Sequence, residues 1–135
     1  MLGKISIRKF KPKTVKTGIE TTMRKMDLQE AFVEQNPNLS KLQEECKGKQ
    51  LSINVTFYLN ENTPDKTSYK KDLDNLLKIL MDVIKEEMDD DDKKIGLGLV
   101  IGNKDEEIFE IICHKEFVQS EDEEGIDLVL SEWHR

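Results

Sequence analysis

Two aspartates one residue apart, Asp72 and Asp74, stand where a polar stretch gives way to an amphipathic one, with Lys78 one helical turn further on. In extended backbone, residues two apart point the same way, so at a loop-to-helix junction both carboxylates can converge on one point. Converged carboxylates repel: two such charges ~4 Å apart cost about 1 kcal/mol in water and about 4 kcal/mol near a protein surface. A bound divalent cation removes that cost, and magnesium prefers a few carboxylates supplemented by waters and phosphate oxygens. A lysine one turn later can hold a phosphate or a leaving oxygen. The same residues also have a purely structural use. Asp72 can cap the helix, Asp74 can complement the helix dipole, and Lys78 can pair with Asp74 or Asp82. Spacing alone favours the structural use.

The elements that must position this segment are partly legible. Leu51 to Asn60 alternates apolar and polar residues and predicts a strand. A loop containing Pro64 follows, and then the clearest helix, Asp72 to Met88, with Leu73, Leu76, Leu77, Leu80 and Ile84 as its apolar stripe. Asp74, Lys78 and Asp82 fall on the opposite side. Upstream, Lys4 to Phe10 reads as a short strand and Asp27 to Gln35 and Leu39 to Cys46 as short helices. The stretch from about 11 to 22 reads as a basic flexible loop. Downstream, Ile95 to Ile101 reads as a glycine-broken strand or an irregular excursion. Ile108 to Phe117 and Ile126 to Leu130 read as strands that pair as a hairpin. The fold class is α+β: one domain over residues 1–135, with helices packed on a small, partly antiparallel sheet.

The string Asp72-Leu73-Asp74-Asn75-Leu76-Leu77-Lys78, with Leu80, Asp82 and Ile84 on the same helix, resembles the signature of the RusA family of Holliday junction resolvases. The resemblance covers roughly Leu51 to Leu130. It implies a RusA-like fold, a homodimer with one active site per subunit, and magnesium held by Asp72, Asp74 and a third aspartate. It makes Lys78 essential and puts Asn75 in support of the site. Two places compete for the third ligand. Asp92 keeps nearly the usual distance from the helix, but an atypical Gly-Leu-Gly-Leu-Val follows it. Asp105 is better matched downstream, by Phe109-Glu110-Ile111, Lys115, the turn to Gly125 and the last strand. It requires an insert over about 89–101 and leaves Lys104 where the family has an acid. Asp105 is preferred, and the tetrad Asp89 to Asp92 is then a solvated loop. That tetrad lacks the alternating ligands of an EF-hand.

Bulk properties restrict the rest. The net charge of −7 argues by itself against nucleic acid, but the distribution matters more. Lys4, Arg8, Lys9, Lys11, Lys13, Lys16, Arg24 and Lys25 cluster near the start against Glu20 alone, while the acids concentrate later. The candidate DNA grips are Arg8, Lys9, Lys11, Lys13 and Lys16, with Lys70 and Lys71 beside the site. No apolar run is long enough to span a bilayer, and the start is unsuited to a signal peptide, so a cytoplasmic protein is expected. Cys46 and Cys113 stand apart and are expected as reduced, partly buried thiols. His114 and His134 are isolated and are given no metal role.

The reading is therefore a magnesium-dependent endodeoxyribonuclease that resolves four-way DNA junctions in recombination and repair. Three alternatives stand beside it. One is a module that binds branched DNA but cuts poorly. Another is a nuclease that also takes flaps and forks. The last is an interaction protein that uses the acidic segment from Glu121.

Overall fold

The alternation from Leu51 to Asn60 resolves into a strand at the centre of the molecule. In the computed structural model, residues 1–12, 18–62, 72–88, 94–101 and 107–134 are described, with backbone alone for 18–21, 86–88, 94–95 and 101. The chain order is β1 (Gly3–Arg8), α1 (Gly18–Gln35), α2 (Leu39–Cys46), β2 (Leu51–Asn60), α3 (Leu73–Ile84), β3 (Lys85–Met88), β4 (Lys94–Ile95), β5 (Val100–Ile101), β6 (Ile108–Val118) and β7 (Gly125–Glu132). The main sheet runs β1-β7-β2-β6, and a smaller one runs β4-β3-β5. β7 is antiparallel to both β1 and β2, whereas β6 is parallel to β2. The described residues thus form a small α+β domain with a mixed sheet. None of its helices is long and apolar enough to cross a membrane.

Strand alternation divides the sheet into two faces. Ile5, Ile7, Ile53, Val55, Phe57, Ile126 and Leu128 point to one side and meet the helices in a single core. α1 contributes Leu28, Ala31 and Phe32, α2 contributes Leu39, Leu42 and Cys46, and α3 contributes Leu76, Ile79, Leu80, Val83 and Ile84. Full burial of a Leu, Ile or Phe side chain stabilises by about 1.5–3 kcal/mol. That outweighs the poor intrinsic stability of a helix as short as α3.

The two edges of the main sheet are treated differently. At the outer edge of β1, side-chain amides take the place of a neighbouring strand. The Ser6 N–H donates to Asn36 Oδ1 (3.0 Å), and Asn36 Nδ2 donates back to the Ser6 carbonyl (3.0 Å). Gln35 repeats the pattern on Arg8, accepting at 2.8 Å and donating at 3.0 Å. Along β6 no further strand pairs among the described residues, and Phe109, Ile111, Ile112 and Phe117 are 42–54% exposed.

Three expectations change. The helix over 72–88 stops at Ile84, and its last residues become β3. The segment Leu97–Leu99 takes the carbonyls there: the Leu97 N–H donates to Val83 O (2.7 Å) and the Leu99 N–H to Ile84 O (2.9 Å). Continuing the helix would also bring Glu86 and Glu87 to its C-terminus, against the dipole. Second, β6 and β7 form no hairpin, because β2 lies between them. The crossing is held by the Glu61 N–H donating to Val118 O (3.0 Å) and by Asn62 Nδ2 donating to Gln119 O (2.9 Å). The apolar β7 takes an inner position, and the more polar β6 takes the edge. Third, α1 starts at Gly18, inside the stretch expected as a basic loop. Within the stretch read as an insert, Leu97, Leu99 and Val100 join the core.

Candidate metal centre

α3 carries the motif, and its first turns are anchored before any chemistry is considered. Leu76 and Ile79 face Phe10, Leu28, Phe57 and Ile126 across a narrow gap in the core. This holds the helix start over the sheet and turns Asp72, Asp74, Asn75 and Lys78 outward, all of them exposed.

Asp72 occupies the N-cap position in extended backbone (φ −66°, ψ 127°). Its carbonyl accepts the Leu76 N–H at 3.2 Å, but its side chain makes no capping bond. Asn75 Nδ2 reaches Asp72 Oδ2 at 3.5 Å, the far limit of a hydrogen bond. Lys78 pairs with neither Asp74 nor Asp82 among the described residues. Asp82 is engaged elsewhere, with Lys25 Nζ at 2.9 Å and Lys85 Nζ at 4.0 Å. Of the structural uses open to these side chains, only the favourable placement of Asp74 in the first turn is realised. Among the described residues, two carboxylates and one ammonium are left at a helix start without an ion-pair partner.

Among the described residues, no group of three or more His, Cys, Asp or Glu gathers as a metal cage. Asp72 and Asp74 offer two carboxylates, a donor set that suits a hard cation keeping several waters. Asp92 and Asp105, the two candidates for a third ligand, lie outside the described residues, as do Lys13, Lys16, Lys70 and Lys71.

The basic candidates separate into two kinds. Arg8 is committed to the fold. Its Nη2 lies 3.0 Å from Asp127 Oδ1, an ion contact without hydrogen-bond alignment. Its guanidinium covers the Tyr58 ring at 4.4 Å, and its Nη1 donates to the Ile7 carbonyl at 2.9 Å. Lys9, with φ 57°, and Lys11 make no ion pair among the described residues. They remain open to a phosphate.

Asp127 is a residue that the sequence reading passed over. It sits on the sheet face away from the helices, between Ser6 and Thr56 in register, and is 8% exposed. The Tyr58 hydroxyl donates to its Oδ2 at 2.8 Å, and Lys4 Nζ lies 3.5 Å away. Burial pushes its carboxyl up, but hydrogen bonds from Tyr58 and Ser6 and the Arg8 guanidinium outweigh that and hold it below the ordinary range. Burial, followed by the bond to Asp127, pushes the Tyr58 hydroxyl up. An aspartate inside the apolar run Ile126 to Leu130 was the available signal. Both cysteines are free, and burial raises the Cys46 thiol to about 11.

No family model, curated protein or solved structure matches this chain.

Proposed function

We propose that this chain is a magnesium-dependent endonuclease of the RusA type that cuts branched DNA, four-way junctions above all. The observation that carries the reading is the state of the motif at the start of α3. Among the described residues, Asp72 and Asp74 are exposed carboxylates with no cationic partner, and Lys78 one turn on makes no ion pair. A helix start built only for stability would use Asp72 as a cap, worth about 1 kcal/mol, and that bond is not made.

Asp72 and Asp74 would hold magnesium, with Asp105, or else Asp92, as the third ligand. When bound, the metal supplies Lewis-acid activation of the phosphoryl group and of the attacking water. Asn75, with its Nδ2 3.5 Å from Asp72 Oδ2, would support that carboxylate. Lys78 projects from the same helix and would offset charge that grows on the scissile phosphate. The N-terminal end of α3 adds its partial positive charge at the same place.

Grip on DNA falls to Lys9 and Lys11, and by sequence to Lys13, Lys16, Lys70 and Lys71. Arg8 contributes less than its position suggests, because Asp127 and Tyr58 already hold it. Binding carried by phosphate contacts weakens steeply with salt. A homodimer belongs to the proposal, since two sites suit a junction of near two-fold symmetry. The apolar side chains along the open edge of β6 support it.

The test is cleavage of a labelled synthetic four-way junction with magnesium, beside linear duplex, by the native chain and by Asp74→Asn. The expected result is paired nicking of the junction by the native chain. The variant should lose about a hundredfold or more, the scale on which one lost electrostatic contact to a transition state acts. Tight junction binding by the native chain without cutting would replace the nuclease by a binding module. With cleavage in hand, Asp92→Asn against Asp105→Asn identifies the third ligand.

A further inference from the structure

α1 buries Leu28, Ala31 and Phe32 and turns another side outward. On that outer side Met23, Met26, Glu30 and Val33 recur at helical spacing, with Glu34 beside them. Met23, Met26 and Val33 are 61%, 64% and 52% exposed, although large apolar side chains gain by burial. Between this side and α3 lies a groove of about 820 Å³, bounded by Met26, Glu30 and Val33 on α1, Asp82 and Val83 on α3, and Gly96 beyond β4. One wall is pinned, because the Gly96 N–H donates to Gln29 Oε1 at 3.1 Å.

The charges of the groove are unbalanced. Lys25 and Lys85 are both spent on Asp82, while Glu30 and Glu34 have no cationic partner among the described residues. An apolar floor with an acidic rim repels phosphate, which excludes DNA and an anionic lipid surface as occupants. From Thr22 to Val33 the α1 wall runs about 16 Å, the length of three helical turns.

We propose that this groove docks an amphipathic helix of a partner protein. The apolar stripe of that helix seats on Met26 and Val33, and its lysines or arginines face Glu30 and Glu34. Methionine suits such a floor, because its unbranched side chain adapts to the surface laid on it. Helix-in-groove recognition then reads anchors spaced one turn apart. The proposal stands independently of the nuclease reading.

The test is fluorescence anisotropy of the full chain with a labelled amphipathic peptide of about five turns, built from a leucine stripe flanked by lysines. The comparison peptides carry glutamate in place of lysine, or the same residues scrambled. The leucine–lysine peptide should bind saturably, and both comparisons at least about tenfold more weakly. Met26→Asp should cost about tenfold, ordinary for an apolar interface anchor. The double variant Glu30→Gln, Glu34→Gln should weaken binding and flatten its salt dependence. These positions are exposed, so melting temperatures should match the native chain and are measured alongside. Equal affinity for the scrambled peptide or indifference to Met26→Asp would each overturn the proposal. So would sedimentation showing that Met26→Asp splits a dimer of the native chain, which would give the groove to a second copy.

Discussion

At the scale of single residues, the molecule contrasts aspartates that are held with aspartates that are left open. Asp127 is enclosed by Tyr58, Arg8, Lys4 and Ser6, and its carboxyl is depressed below its ordinary value of 3.8. A carboxylate depressed in the folded state stabilises the fold above its unfolded pKa, and that contribution is lost as pH falls through the folded one. Asp127→Asn removes the charge and leaves Arg8 without its partner. It should cost about 2 kcal/mol at neutral pH, and the variant should lose less further stability than the native chain on acidification to about pH 3. Urea midpoints at the two pH values check this, and equal midpoints at neutral pH would falsify it. Asp72 and Asp74 are the opposite case. They drew notice in the sequence through the motif, although their spacing alone fits a structural use as well. Asp127 was not readable, because its role depends on Tyr58 and Arg8, distant in sequence and brought close by the pairing of β7 with β1 and β2.

At the scale of elements, Gly96 shows how local pattern and tertiary context divide the work. It has φ +94°, and a Cβ there would run into the Lys85 carbonyl. Gly96→Ala should therefore destabilise by about 1–3 kcal/mol, the usual cost of a strained backbone position. It should also loosen the Leu97 and Leu99 hydrogen bonds to the end of α3. Denaturant unfolding and amide exchange at those two residues measure both effects, and a native urea midpoint would refute the assignment. The same contact explains why the helix was read too long. Leu73 to Ile84 and the charged residues after it are all compatible with helix, and the stop comes from Leu97 and Leu99 claiming the last carbonyls. β2 was legible because its alternation matches its burial, and α2 because Leu39, Leu42 and Cys46 keep helical spacing. The order of β6 and β7 was not legible. A polar turn between two strands favours a hairpin locally, and only competition for the place beside β1 and β2 overrules it.

At the scale of the whole molecule, β6 is the place where a second chain is expected. Ile112→Lys puts a charge on that exposed edge strand, the device by which natural sheets block pairing. In sedimentation the native chain should run as a dimer and the variant as a monomer that still unfolds cooperatively, its melting temperature lowered only by the lost association. Paired nicks on a four-way junction should give way to single ones. A variant that stays dimeric would place the interface elsewhere.

The amide side chains of Gln35 and Asn36 on β1 set a limit on assembly. Strands add to strands without end only where each new member offers a fresh place to join, which is how fibres propagate. Here one border is stitched shut from within the chain. Joining β6 to β6 would consume the other border of both members at once. The product would have no growing end, so a strand addition that begins at this sheet stops at two.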